Sequence, residues 1–287
     1  VGPRASRSGA RCRDASRGVA GYGPGMRLIT WNVNSLKARL PRVLELLASH
    51  RPDVLCLQET KLAADAFPHA ELADAGYRAV EASEGRWNGV ALVVPSDAEV
   101  AEPTPQLPGG PVPDEARWLE GTVGGVRVVS VYVPNGRAVD DPWYPRKLAF
   151  LAAMRDRVAA LAAAGPVVVA GDYNVAPADV DVWDLAAFPP GSTHVTPAER
   201  DAVDALLAVG LRDAQRVVRA EGEAFTWWDY RGGAFHRGHG LRIDLVLASA
   251  ALGVVDVEVL REYRKQNAAG DKPSDHAPVV VDLEVGG

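Results

Sequence analysis

Apolar residues recur along this chain in short blocks. Leu28-Ile29-Thr30-Trp31 and Val54-Leu55-Cys56-Leu57 each read as a buried strand. Between them Leu40, Val43, Leu44 and Leu47 recur at helical spacing, until Arg51-Pro52-Asp53 stops the helix. Further strand-like runs occupy 77–82, 89–94, 118–123 and 126–133, and Gly124-Gly125 between the last two is a hairpin signal. A long amphipathic helix over 147–164 precedes the strand Val167-Val168-Val169-Ala170. A second helix near 198–209 and closing strands near 242–247, 254–260 and 278–283 complete the pattern. Hairpins combined with crossover helices do not fit a strictly alternating βαβ chain; they predict an α/β fold of two packed sheets flanked by helices. The Pro-rich segment 102–113 looks like a linker, but the runs on either side need each other's cover. It is read as a surface loop inside one domain spanning 26–287.

Composition narrows the picture. The longest apolar stretch, 159–171, is broken by Gly165-Pro166 and falls short of the roughly 20 residues a membrane span needs. The formal charge of −6 does not suit a nucleic-acid coat protein. Its distribution is uneven: Arg4, Arg7, Arg11, Arg13 and Arg17 against Asp14 give residues 1–25 about +4, leaving about −10 for the rest. An acidic body that handles phosphate needs a local basic patch, or metal ions beside its carboxylates. Residues 1–25 lack large apolar side chains and are expected to be disordered. They read better as a non-native extension than as a DNA-holding arm, since Met26 directly precedes the first strand pattern, and they contain no secretory signal. Cys12 and Cys56 make no disulfide scaffold, which favours a reducing, cytoplasmic compartment.

Polar residues collect where the strands end. The first strand runs into Trp31-Asn32-Val33-Asn34 and the second into Gln58-Glu59-Thr60-Lys61. The run from Val126 ends in Tyr132-Val133-Pro134-Asn135-Gly136-Arg137, and that from Val167 in Gly171-Asp172-Tyr173-Asn174. Leu241-Arg242-Ile243-Asp244 and Ser274-Asp275-His276 follow. Strand ends sharing one rim would deliver Asn32, Glu59, Asp172, Asn174, Asp244, Asp275 and His276 to a single cleft. Carboxylates so gathered raise one another's pKa unless a cation joins them. Mg²⁺ is the natural cation, because it takes oxygen ligands and leaves room for substrate phosphate; Mn²⁺ can substitute. Zinc is disfavoured: no histidine stands in an HExxH-type motif, and His236 and His239 lie in a Gly-rich loop read as solvated or DNA-facing. Taken singly, each residue has an ordinary reading, with Glu59 a surface carboxylate, Asp172 a turn cap and Asp275 an Asx-turn residue beside an exposed His276. The combination is harder to dismiss.

In order, Trp-Asn-Val-Asn at 31–34, Gln-Glu-Thr-Lys at 58–61, Tyr-Val-Pro-Asn-Gly at 132–136, Gly-Asp-Tyr-Asn at 171–174, Gly-Leu-Arg-Ile-Asp at 240–244 and Ser-Asp-His at 274–276 form a series. It resembles the exonuclease III family of apurinic/apyrimidinic endonucleases, over essentially everything from Met26 onward. The resemblance implies a four-layer, DNase I-like α/β sandwich and Mg²⁺ dependence. It implies double-stranded DNA as partner, cut 5′ to abasic sites, with 3′-5′ exonuclease and 3′-phosphodiesterase action on blocked 3′ ends. Glu59 is then the principal metal ligand, with Asn32 and Asp275 near the ion; a second ion, if present, falls to Asp172, Asn174 and His276. Asp172 positions or deprotonates the attacking water, Asn174 and Tyr132 hold the scissile phosphate, and His276, oriented by Asp244, hydrogen-bonds a phosphate oxygen. Whether Asp172 or His276 is the base stays open. Trp227 and Leu241 line an extrahelical pocket that accepts bare sugar, while Trp228, on the opposite face of a strand, goes to the core. Vertebrate members carry an aromatic in place of Leu241 and a carboxylate in place of Asn34, which leaves Asn34 a supporting group. Arg137 is the candidate for gripping phosphate or inserting into DNA, with Lys61 and Asn135 beside it. Lys61, Arg137, Arg231, Arg237 and Arg242 all fall near rim motifs and are expected to form the local basic patch.

Lipid-headgroup phosphatases of the same superfamily add an apolar loop or anchor that this sequence lacks. General nucleases of this fold use two histidines, where only His276 stands in a matching motif. A catalytically dead nucleic-acid-binding module predicts lost carboxylates, yet Glu59, Asp172, Asp244 and Asp275 are in place. Without heptads or an apolar patch, a monomer with no obligate protein partner and no membrane association is expected.

Overall fold

A computed structural model of the chain describes residues 25–286. The expected disordered tail, apart from Gly25, lies outside the described residues. In chain order the elements are β1 (Gly25–Asn32), α1 (Leu36–His50), β2 (Val54–Gln58), α2 (His69–Asp74), β3 (Tyr77–Ala82), β4 (Val90–Pro95), β5 (Ala101–Thr104), β6 (Trp118–Val123) and β7 (Val126–Tyr132). There follow α3 (Trp143–Ala164), β8 (Val167–Asp172), α4 (Pro197–Ala208), β9 (Leu211–Asp213), α5 (Ala214–Val218), α6 (Ala234–Arg237), β10 (Asp244–Ser249), β11 (Leu252–Val259) and β12 (Val279–Val285).

The strands form two six-stranded sheets, ordered β11-β12-β1-β2-β4-β3 and β5-β6-β7-β8-β10-β9. The expected four layers are present because each central strand is apolar on both faces. Along β1, Leu28 packs between the sheets with Cys56, Val128 and Val168, while Ile29 and Trp31 face Leu46 and Leu47 of α1. Along β8, Val168 and Ala170 face the other sheet, and Val167 and Val169 pack with Phe150 and Met154 of α3 and Leu206 of α4. Strands covered on both faces read as continuous apolar runs, which is how they stood out in the sequence. Gly124 and Gly125, at φ of 56° and 82°, make the β6–β7 hairpin turn in the left-handed conformation that such turns demand.

The segment 102–113 is not wholly a loop. Its first residues belong to β5, which pairs with β6 through Ala101↔Thr122 and Thr104↔Glu120 across an irregularity. As an edge strand with an exposed middle it carries no apolar alternation, so nothing in its pattern announced it. Among the described residues no helix is long and apolar enough to cross a membrane.

Topology builds the rim. β1 and β2 are parallel with Asn32 opposite Gln58, and β7 and β8 are parallel with Tyr132 opposite Asp172. β10 runs antiparallel to β8 with Asp244 opposite Asp172, and β12 runs antiparallel to β1. The C-terminal ends of four central strands therefore share one edge with the N-terminal ends of two returning ones.

Candidate active site

The side chains expected to meet at that edge do so. Asn32 is fully buried and donates its amide hydrogens to Glu59 Oε1 at 2.7 Å and Asp172 Oδ2 at 3.0 Å, bridging the two carboxylates. Ligand-capable atoms of Glu59, Asp172 and His276 lie within 4.8 Å of one another. Lys61 Nζ stands 2.7 Å from Glu59 Oε2 and 2.6 Å from Asn34 Oδ1, so an ammonium compensates the Glu59 charge. Asn32 turns its nitrogen to the carboxylates and its oxygen to the backbone N–H of Asn34, at 3.0 Å, so it can serve a cation only after its amide turns over. Asp275 stands beside this cluster, accepting from Asn34 Nδ2 at 3.0 Å and Trp227 Nε1 at 3.1 Å.

His276 is gripped from behind. Its Nδ1 lies 2.9 Å from Asp244 Oδ2, its Nε2 faces Asp172 Oδ2 at 3.8 Å, and its carbonyl accepts from Trp31 Nε1 at 3.0 Å. Burial alone would lower the imidazole's pKa, but Asp244 first, then Asp172 and Asp275, carry it up to about 10 in the metal-free protein. Asp172 is also raised, which for a carboxyl disfavours the charge: burial, then the charges of Asp244 and Glu59, take it to about 7 against the lowering pull of His276. Burial also opposes the Asp275 charge, yet His276, Asn34 and Trp227 keep that carboxyl below its ordinary value.

Asn174 sits on strained backbone. Asn174 adopts φ 52° and donates Nδ2 to the Val133 carbonyl at 2.9 Å, while its Oδ1 accepts from Asn135 Nδ2 at 3.0 Å. Asn34, Glu59, Lys61, Arg137 and His194 also have positive φ, so non-glycine residues in this costly region cluster at the rim. Tyr132 hydrogen-bonds Glu59 and lies under the Arg117 guanidinium, 4.6 Å from its ring centre; burial, then Glu59, pushes its pKa well up.

Trp227 and Trp228 divide as the strand argument required. Trp228 is 1% exposed in a core with Phe225 and Ala277, and Trp227 packs beside Leu241, Ile243, Val182 and Ala176 at the edge of the site. Leu241 is itself buried, so it backs this apolar corner. Arg137 is exposed, near Asp141 at 3.8 Å and the Trp143 ring at 5.2 Å. Arg231 is exposed and paired with Asp229. Arg242, expected in the basic patch, is corrected: it is 2% exposed and locked to Asp181 and Asp213 beneath the rim. Of the two loop histidines, one differs from the expected solvated placement. His236 is exposed, but His239 stacks on Trp183 with ring centres 3.7 Å apart.

Other residues at the site were not found in the sequence. Lys147 and Glu199, both 0% exposed, form a buried ion pair directly behind the amides. Lys147 Nζ also donates to the carbonyls of Asn174 at 2.6 Å and Asn135 at 3.2 Å, and to Thr193 Oγ1 at 3.0 Å. Two signals pointed to this pair: Lys147 falls on the Phe150, Leu151, Met154 stripe of α3, and Thr196-Pro197-Ala198-Glu199 reads as a capping box, which it forms. His194 lies against the Asn174 carbonyl, and burial, then Lys147, lowers its pKa to about 4. Trp87 is 61% exposed on the loop that hydrogen-bonds Lys61 through Asn88, with Arg86 5.3 Å from its ring centre. A lone loop tryptophan carries no sequence signal of its own.

Comparison with known proteins agrees with this geometry. Residues 29–276 match the model of the endonuclease/exonuclease/phosphatase family. Exodeoxyribonuclease III of Haemophilus influenzae is 30% identical over 280 residues, covering 90% of this chain and 100% of its own. The 3′ phosphatase NExo from Neisseria, solved with a product DNA hairpin, is 41% identical with a TM-score of 0.84, covering 89% of this chain and 98% of its own. An AP endonuclease from Archaeoglobus fulgidus is 32% identical with a TM-score of 0.83, over 89% and 98% of the respective chains. The sandwich, the rim and these relatives lead to one conclusion: the chain belongs to the endonuclease/exonuclease/phosphatase family, in the branch of the exonuclease III-like AP endonucleases.

Proposed function

We propose that the chain is a Mg²⁺-dependent DNA-repair nuclease that cuts the backbone 5′ to abasic sites and clears blocked 3′ ends as a 3′-5′ exonuclease and 3′-phosphodiesterase. The observation that carries this reading is the convergence of Glu59, Asp172 and His276 on one point of the rim. DNA as substrate is supported by relatives named exodeoxyribonuclease III, AP endonuclease and a 3′ phosphatase bound to product DNA.

The donor set fits a hard cation. Glu59 and Asp172 offer carboxylate oxygens, Asn32 joins once its amide turns over, and the local imidazole is engaged by Asp244. When bound, the divalent ion neutralises charge on the phosphate. The chain's own residues do the rest. The amides of Asn174 and Asn135 and the His276 imidazolium orient and stabilise the phosphate oxygens. Asp172, facing His276 Nε2 at 3.8 Å and steadied by the Asn32 amide, is placed to accept a proton from water as the water oxygen bonds to phosphorus. The P–O3′ bond then breaks, its electron pair stays on the 3′ oxygen, and that oxygen takes up a proton. His276, its Nδ1 held by the Asp244 carboxylate, is oriented as the donor, and we assign the base to Asp172 on that geometry. Trp227, backed by Leu241 and Val182, gives an apolar corner for a sugar without its base. Arg137, Lys61 and the Arg86-Trp87 pair meet the flanking backbone.

The test uses labelled duplexes carrying one abasic-site analogue, a 3′-phosphate or no lesion, each in Mg²⁺ and in EDTA. The reading expects metal-dependent incision at the analogue and release of the 3′-phosphate. Equal cutting of the undamaged duplex would make the enzyme a general nuclease.

A further inference from the structure

Beside the catalytic rim lies a groove of roughly 510 Å³, within the range of small-molecule sites, lined by Arg39, Tyr230, Phe235, Arg264, Lys265 and Lys272 among others. It borders the active site through Arg39, whose Nη1 donates to the Asn34 carbonyl at 2.9 Å and whose Nη2 donates to Tyr230 Oη at 2.7 Å and the Pro273 carbonyl at 3.1 Å. Arg264 is 7% exposed, donates Nη2 to the Trp228 carbonyl at 3.0 Å, and lies 4.9 Å from the Tyr230 ring centre. Both guanidiniums keep a buried Nε without any hydrogen-bond partner.

Their charge is the anomaly. Arg242, more deeply buried than either, is matched by two carboxylates in contact with it. Among the described residues, Arg39 and Arg264 form no ion pair within 4 Å. Asp229, the acidic residue among the groove's lining, is taken up by Arg231. Arg264 is buried and Arg39 half-buried, and Asp275 and Asp229 act on Arg264 only from beyond ion-pair contact, so both guanidiniums keep donor capacity that an anionic ligand can take up. Lys265 and Lys272 are exposed at the same groove in a protein of net charge −6, so positive charge is concentrated there against the general trend. Tyr230, 48% exposed, adds an aromatic wall.

We propose that this groove is a second nucleic-acid subsite, in which Arg39, Arg264, Lys265 and Lys272 hold a backbone phosphate of the bound DNA against Tyr230. The assignment of DNA rests on the function proposed above; the chemistry shared with a free nucleotide is a phosphate dianion or monoanion beside a ring. The subsite fixes the duplex on the Asn34 and Asp275 side of the scissile bond and adds a salt-dependent contribution to affinity.

The experiment measures fluorescence anisotropy of a labelled abasic-analogue duplex in EDTA, between 50 and 200 mM salt. It compares the wild type, the double variant Lys265→Ala with Lys272→Ala, and Arg264→Gln. The double variant changes only exposed side chains, so it folds whatever becomes of Arg264→Gln. The slope of log K against log salt is expected to fall by about 0.9 per lost phosphate contact, and affinity for DNA to fall, most at the lower salt. Arg264→Gln is expected to weaken DNA binding, and because it also removes the hydrogen bond to the Trp228 carbonyl its melting temperature is recorded beside that of the exposed double variant. Unchanged slope and affinity in both variants overturn the proposal. Should the wild type itself fail to bind DNA, the function proposed above fails separately, and the groove is read by thermal shift with deoxyadenosine monophosphate and with inorganic phosphate. Stabilisation of the wild type but not of Arg264→Gln would then keep the anion site and transfer it to a free nucleotide. No stabilisation would overturn it.

Discussion

Replacing Lys147 by Met removes a cation that solvent does not reach. Burial opposes the Glu199 charge, yet Lys147, the Thr193 hydroxyl and the His194 amide hold that carboxyl below its ordinary range, so the native pair is ionised. Without Lys147 the carboxylate keeps hydrogen bonds from Thr193, His194 and Thr196 but has no opposite charge. Breaking one partner of a buried pair costs about 3–5 kcal/mol, and these remaining bonds place this case near 3 kcal/mol. For a chain of this size, with an unfolding entropy of about 0.6 kcal/mol/K, the melting temperature should fall by roughly 5 °C. The damage reaches the site, because the same ammonium tethers the carbonyls of Asn174 and Asn135; a shift of the amides by ~1 Å would cost about 10²-fold in turnover. The assay is a double-mutant cycle of thermal unfolding with Lys147→Met, Glu199→Gln and both together. Coupling of at least about 1 kcal/mol is expected between touching partners. Additivity within about 0.5 kcal/mol, with turnover unchanged, would refute the argument that this pair positions the amides.

Further outcomes follow from other parts of the structure. His276 has a folded pKa raised from 6.5 to about 10, so the native state binds more protons than the unfolded chain across that window. The metal-free protein should therefore lose stability as pH rises from about 6.5 towards 10, and Asp244→Asn should flatten that slope in pH-dependent melting curves. Asp181→Asn weakens the buried grip on Arg242 and Arg216, and should cost about 3 kcal/mol in urea unfolding. Gly171→Ala puts a Cβ 1.9 Å from the Val131 carbonyl oxygen across the parallel β7–β8 pair; little soluble protein is expected on expression, whereas a normal yield with full activity would contradict the register.

What the sequence made legible followed from burial. Strands covered on both faces, such as β1, β2 and β8, announced themselves as apolar runs, and the polar residues after them marked the rim. The ordered motifs named Asn32, Glu59, Asp172, Asp244 and His276, which the fold brings together. Less legible were features that depend on partners distant in sequence. Arg242 and Asp213 are 29 residues apart, and Arg242 and Asp181 are 61 apart, so a rim arginine could not be told from a buried one. Edge strand β5 and the short β9 owe their pairing to neighbours. Lys147 falls on the apolar stripe of α3, but its partner Glu199 comes from α4, 52 residues away.

The central claim is that Glu59, Asp172 and His276 form one metal-dependent phosphoesterase centre, and single-turnover cleavage of a duplex with one abasic-site analogue tests it most directly. Wild type, Asp172→Asn and Glu59→Gln are compared in Mg²⁺ and in EDTA. The account predicts incision by the wild type that EDTA abolishes, a loss of about 10²–10⁴-fold for Asp172→Asn, and partial rescue of Glu59→Gln by raised Mg²⁺. Cleavage that survives EDTA, or an Asp172→Asn rate within a few-fold of wild type, would contradict it.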